Sequence, residues 1–268
     1  MKNLFTGVAT ALATPFNENG VNISEFKRFI NFQISSGVDA LVVCGTTGEA
    51  STMTKKEKID AITCAIEAVN SSTKKIPVIV GTGSNNTASS IEMSILAEKL
   101  GADGLLIVTP YYNKTTQLGL IEHFKAIAQS VSVPIILYNV PSRTGMNIEP
   151  ETCYELSKIT NIIGIKEASG NISQVAEISN LCGNNFDIYA GNDSEILPVL
   201  SLGGKGVIST VANIIPKDTH NIIEEFNKGN INEARNYQLN MLNLINSLFS
   251  EVNPIPVKQA LQRMGFNN

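Results

Sequence analysis

Histidine is nearly missing. The chain of 268 residues holds two, His123 and His220, both within stretches of helical periodicity. A catalytic zinc gathers imidazole or thiolate ligands at one point, and a Ser–His–Asp arrangement needs an imidazole beside its serine. Neither is supported here. The four cysteines, Cys44, Cys64, Cys153 and Cys182, lie far apart with no C-x-x-C pair. Their spacing argues against a disulfide framework or zinc site and for small buried apolar side chains in a reducing cytoplasm. An excess of one charge is also missing. Lysine and arginine number 20 against 24 acidic residues, a net charge of −4, which gives no electrostatic case for nucleic acid or an anionic membrane. No apolar run approaches the ~20 residues of a membrane span, and the segment from Met1 to Gly7 lacks a signal-peptide core. A cytoplasmic protein that needs no metal is the expectation.

What is present is a β-then-α alternation from end to end. Strand-like runs occur at 7–14, 40–44, 77–81, 104–109, 134–139, 162–167, 186–190 and 206–211. Amphipathic stretches lie between them, with Ser24, Thr87 and Ser173 as expected N-caps and Gly37, Gly101 and Gly183 as expected left-handed residues past helix ends. Eight such units in a chain of this length predict an α/β fold, a closed (β/α)8 TIM barrel. An open dinucleotide-binding sheet is disfavoured, because no G-x-G-x-x-G follows the first strand. Residues 1–228 are expected to form the barrel and carry the active site, and 229–268 a C-terminal helical extension with one helix over 231–249. At 43% hydrophobic residues the composition suits one substantial core.

Catalytic groups of such barrels sit at the carboxyl ends of the strands. There the sequence places Gly45-Thr46-Thr47-Gly48-Glu49, Thr109-Pro110-Tyr111-Tyr112-Asn113, the run from Tyr138 to Gly145 with Arg143, Lys166-Glu167 and Gly191-Asn192-Asp193. Lys166 is the most telling. It interrupts an apolar run, Ile162-Ile163-Gly164-Ile165, of the kind that forms a strand buried on both faces. A free lysine amine is neutral in only about one molecule in a few thousand at pH 7, a handicap of roughly 4–5 kcal/mol on nucleophilic attack. Burial works against the ammonium and so favours Schiff-base chemistry. The competing interpretation, a lysine reaching for water or paired with Glu167, loses weight once hydroxyls, phenols and an arginine converge on the same mouth. Glu49 is either a general base or a carboxylate bonded to backbone amides. Gly203-Gly204-Lys205-Gly206 precedes the eighth strand and is expected to be a tight turn on the opposite face rather than a phosphate cradle.

These segments, with Asn253-Pro254-Ile255-Pro256-Val257-Lys258, run in order over nearly the whole chain and resemble the dihydrodipicolinate synthase family of pyruvate-dependent class I aldolases. The resemblance implies condensation of pyruvate with L-aspartate 4-semialdehyde through a lysine Schiff base, with no cofactor. It makes Lys166 the nucleophile and Tyr138 the proton donor and acceptor. Tyr138 would be linked through Thr47 to Tyr112, which enters from a neighbouring subunit. Thr46 and Thr47 would bind the pyruvate carboxylate, with backbone at Gly191 and Ile208 shaping the pocket. Arg143 would take the semialdehyde carboxylate, and related aldolases that lack this arginine accept neutral polyhydroxy aldehydes. A catalytically silent barrel is disfavoured by the intact Lys166–Tyr138–Thr47 set. The resemblance further implies a homo-oligomer, a dimer or dimer of dimers. Two departures stand out. Where lysine-inhibited relatives carry histidines and a glutamate, this chain has Lys55, Lys58 and Ser89, which should repel an ammonium. Family chains also usually continue about another helix beyond Met264-Gly265-Phe266.

Overall fold

The computed structural model describes residues 4–267. Eight parallel strands close into a barrel: β1 (Gly7–Ala11), β2 (Ala40–Val43), β3 (Val78–Gly81), β4 (Gly104–Val108), β5 (Ile135–Asn139), β6 (Ile162–Glu167), β7 (Asp187–Ala190) and β8 (Gly206–Ser209). All are buried on both faces except for Gly81 and Val108 at two strand ends, which is why they read as continuous apolar runs rather than alternating ones. One set, including Ala9, Ala11, Val42, Ile79, Leu106 and Ile136, fills the barrel interior. The other, including Val8, Leu41, Val43, Val80 and Leu105, packs against the helices.

The seam joins the first and last strands, Gly7 opposite Gly206 through Thr10 opposite Ser209. Backbones approach so closely there that a Cβ on Gly206, at φ +154, would lie 1.9 Å from the Gly7 carbonyl oxygen. β1 and β8 end before the expected Thr14 and Val211 because Asn213 captures the chain. Its side chain accepts from Ala13 N at 3.0 Å and donates to the Ala11 carbonyl at 2.8 Å.

The surrounding helices are α1 (Ile23–Ser35), α2 (Lys55–Ser71), α3 (Thr87–Leu100), α4 (Gln117–Ala128), α5 (Pro150–Ser157), α6 (Ile172–Cys182), α7 (Ile196–Ser201) and α8 (Pro216–Asn227). The caps correct the sequence expectation. Asn22, Asn86 and Asn171, not Ser24, Thr87 and Ser173, accept from the N3 amides of Glu25, Ser89 and Gln174. Gly37 and Gly101 are left-handed past α1 and α3, whereas Gly183 takes φ 64, ψ −162 and enters a 3-10 turn. The single helix expected over 231–249 is two, α9 (Ile231–Asn240) and α10 (Leu242–Leu248), followed by α11 (Ile255–Arg263). The break at Met241 lets α9 pack on α8 while α10 turns across the loops that follow β7 and β8.

Burial holds the Cys44 and Cys64 thiols up at about 12 and about 11, so they behave as small apolar groups. Cys182 is only partly buried. No helix among the described residues is long and apolar enough to cross a membrane.

At the amino-terminal face Asp39 Oδ2 accepts from Val8 N and faces His220 Nδ1, each at 2.9 Å. The bond to Asp39 raises the His220 pKa against partial desolvation. A raised folded-state value means stabilisation complete below the ordinary imidazole range and lost as pH rises through the raised value. His220→Gln should therefore lower the thermal midpoint clearly at about pH 5 and much less at about pH 8.5, as read by calorimetry at both values.

Candidate active site

Parallel pairing sets Tyr138 of β5 opposite Lys166 of β6, and Lys166 opposite Tyr189 of β7. Side chains in register on adjacent strands leave the same face of the sheet, so all three project into the barrel. Lys166 is 5% exposed, and its Nζ lies 4.3 Å from the centroid of the Tyr138 ring. Tyr189 is the floor. Its ring stacks on Phe5 at 4.3 Å, and its hydroxyl donates to the Phe5 carbonyl at 2.8 Å. Burial raises that phenol far above its usual range, which makes it a structural group. Glu167 faces the helix layer and accepts from Asn139, Gln174 and Ser169, so Lys166 is not its ion-pair partner.

Above Lys166 is a cavity of about 170 Å³ walled by Thr46, Thr47, Tyr138, Arg143, Lys166 and Gly191 among others. Six of the expected site residues therefore meet in one place. Gly191 is required there, since a Cβ would lie 2.5 Å from the Ala168 side chain and 2.8 Å from the Glu167 carbonyl oxygen. Ile208 is fully buried in the apolar layer of the barrel interior. Arg143 rides on a helical turn, Pro141–Thr144, where Pro141 at N1 starts the turn and left-handed Gly145 ends it. This places the guanidinium at the rim, bordering both the cavity and a wider groove of about 720 Å³. Tyr112 lies elsewhere. It lines the wider groove, is 92% exposed and has a left-handed backbone at φ 72.

Two residues without an expected role, Asn253 and Thr210, complete the cavity's polar side, and a third, Asp193, stands behind them. Asn253 Nδ2 donates to Thr47 Oγ1 at 3.0 Å, and Thr210 Oγ1 lies 3.4 Å from the same hydroxyl. Asp193 accepts from the Ser209 hydroxyl and, at 3.1 Å each, from Thr210 N and Val211 N. Burial raises its carboxyl above the usual carboxylate range, opposed by those bonds and by nearby Lys166. Asp193 thus fixes the turn that presents Thr210. In the sequence Asp193 stands at a strand end and Asn253 in a distinctive segment, but only the fold brings Asn253 to Thr47 and Asp193 behind Thr210. Asn253 and Phe249 also show that the extension beyond residue 228 walls the cavity.

Glu49 neither meets the cavity nor bonds backbone amides through its side chain; it pairs with Lys258 at 2.7 Å. His123 is buried beneath α3, facing Thr87 Oγ1 at 2.9 Å, with its pKa lowered by burial. Neither histidine lines the cavity or the groove, and no cluster of three His, Cys, Asp or Glu suited to a metal occurs among the described residues.

A closed (β/α)8 barrel whose mouth sets a buried lysine abreast of a tyrosine defines the lysine-dependent, class I type of aldolase. The profile of the Dihydrodipicolinate synthetase family matches residues 4–268, and the chain belongs to that family. It is 57% identical to 4-hydroxy-tetrahydrodipicolinate synthase 1 of Clostridium acetobutylicum, over 99% of this chain and 89% of the relative. It is 55% identical to the 4-hydroxy-tetrahydrodipicolinate synthase of Acetivibrio thermocellus, over 98% and 89%. The crystal structure of dihydrodipicolinate synthase from Thermotoga maritima superposes with a TM-score of 0.96 at 41% identity, over 99% of this chain and 90% of that one.

Thr47→Val removes the acceptor for Asn253 Nδ2 and leaves a buried donor unpaired, a cost of about 1–3 kcal/mol. Chemical denaturation should register that loss, and Thr47→Ser, which keeps the hydroxyl, should recover most of it.

Proposed function

We propose that this chain condenses pyruvate with L-aspartate 4-semialdehyde, giving 4-hydroxy-tetrahydrodipicolinate on the route to diaminopimelate and lysine. The observation that carries it is the in-register pair of Lys166 and Tyr138 beneath a small polar cavity rimmed by an arginine. Neutral Lys166 attacks the pyruvate ketone, and loss of water leaves an iminium. The iminium acidifies the adjacent methyl group, and removal of a methyl proton gives an enamine. The enamine carbon attacks the aldehyde carbon, whose oxygen is protonated. The amine of the former semialdehyde then attacks the imine carbon, expels Lys166 and closes the ring.

Tyr138 moves these protons, since it borders the cavity beside Lys166. Thr46 and Thr47 hold the pyruvate carboxylate, with backbone at Gly191 and Ile208 shaping the pocket. Arg143 offers a planar fork to the semialdehyde carboxylate from the rim, which favours this substrate over neutral polyhydroxy aldehydes. A relay through Thr47 to Tyr112 needs a second copy of the chain, because Tyr112 stands out in water in its own. The working enzyme is accordingly a homo-oligomer, a dimer or dimer of dimers, acting in the cytoplasm without a metal. Residues 1–228 form its barrel and 229–268 an extension that completes the pocket wall.

Intact-mass analysis after pyruvate and borohydride tests the chemistry. Native protein should gain one reduced pyruvate per chain and Lys166→Ala none; an unmodified native chain would sink the proposal. Turnover should follow with aspartate semialdehyde and not with N-acetylmannosamine.

Regulation is the second expectation. Lys58 and Ser89 line the wider groove, whereas Lys55 is paired with Glu92. With Lys58 facing the groove, L-lysine at low millimolar concentration should leave the rate of a coupled assay unchanged.

A further inference from the structure

Behind the catalytic pair, on the helix side of the sheet, is a buried polar ring that the chemistry above does not use. Asn139 follows Tyr138 as the last residue of β5, and Glu167 follows Lys166 as the last residue of β6. The two are themselves in register. Asn139 and Glu167 are 0% and 2% exposed. Asn139 Nδ2 donates to Glu167 Oε2 at 2.9 Å and to Asn147 Oδ1 at 2.8 Å. Gln174 of α6 donates to Glu167 Oε2 at 3.0 Å and to Asn147 Oδ1 at 3.2 Å, and accepts from Asn147 Nδ2 at 2.8 Å. Glu167 Oε1 takes the amide of Ser169 at 2.6 Å, and the Glu167 carbonyl takes that of Gly191 at 2.6 Å. The Arg143 loop is anchored to the same ring at its far end through Asn147 and through Ile148 N, which donates to Asn139 Oδ1 at 3.0 Å.

Every bond to the Glu167 side chain comes from a neutral donor, and no cation forms a salt bridge with it among the described residues. A buried carboxylate without a counter-charge is costly. Its chemical use is that it only accepts, so it can gather three donors at one point where an amide would present a donor of its own. We propose that Glu167 is a positioning residue for the condensation. Its carboxylate sets Tyr138 and Lys166 at a fixed separation and, through Asn139 and Asn147, ties the Arg143 loop to the same reference point. The function so assigned rests on the proposed reaction. The nucleophile, the proton carrier and the carboxylate-binding arginine then share one support, and loosening it costs rate and second-substrate binding together.

Glu167→Gln is isosteric and places an NH2 group against the donors of Asn139 and Gln174 together or, with the amide reversed, against Ser169 N. The expected result is a fall in kcat of roughly 10- to 100-fold and a several-fold rise in KM for aspartate semialdehyde, with the KM for pyruvate little changed. Asn147→Ala removes the side-chain part of the loop's attachment and leaves Glu167 its three donors, so it should raise the KM for the semialdehyde while pyruvate trapping proceeds at the native rate. Native protein treated with pyruvate and borohydride is the control. Failure to trap there removes the reaction itself, whereas native trapping with unchanged kinetics in Glu167→Gln overturns only the positioning role. Loss of activity in strict proportion to loss of folded protein overturns it too. If Glu167→Gln does not fold, native kinetics in Asn147→Ala refute the coupling to the Arg143 loop.

Discussion

The register between β5 and β6 is the constraint on which the site depends. A shift of one residue would turn Lys166 toward the helices and Glu167 into the barrel, since successive side chains on a strand face opposite ways. Closure of the barrel is what forbids the shift. Each strand is paired on both sides, so none can slide without breaking two ladders. The energy that holds a lysine away from water is therefore spread over the apolar interior and the helix-facing layer, not concentrated in bonds to the lysine itself. Tyr189 and Phe5 close the base of the same column, so the amine has only the cavity side open to it.

Much of this was legible in the sequence. Eight apolar runs could be read as strands because burial on both faces leaves no alternation to confuse them, and the mouth could be read because a barrel fixes which end of each strand carries chemistry. Thr46, Thr47, Tyr138, Arg143, Lys166 and Gly191 followed from that rule together with the family resemblance. What stayed hidden depends on long-range geometry or on close competition between similar groups. Ser24, Thr87 and Ser173 are reasonable caps, but an asparagine one or two residues earlier reaches the N3 amide in each case. Asn253 is 206 residues from Thr47 in the chain, and no local pattern announces that bond. Nor does a helical repeat reveal that Met241 must turn inward and redirect the chain.

The C-terminal segment does more than cover the barrel. Lys258 on α11 donates to Glu49 at 2.7 Å and to the Thr14 carbonyl at 3.1 Å, while Asn253 just before that helix holds Thr47. Two neighbouring points of the loop that follows β2, Thr47 and Glu49, are thereby tied to the same short stretch of chain. Arg28 extends the attachment by joining Glu25 to the Gly265 carbonyl and lying 4.3 Å from the Phe266 ring. Exposed pairs of this kind contribute little stability singly. Their arrangement matters more, because they orient a helix whose neighbour Asn253 reaches the polar side of the cavity.

The seam between β1 and β8 has a consequence for how the molecule is made. The strand that leaves the ribosome first must find as its neighbour the strand that leaves last among the eight. Until residues near Gly206 emerge, β1 has one row of amides and carbonyls unsatisfied, and an open edge invites pairing with other chains. The tight meeting of Gly7 with Gly206, where no side chain fits, makes that late union selective. A growing chain is exposed to misassociation for most of its synthesis and escapes it in one final step.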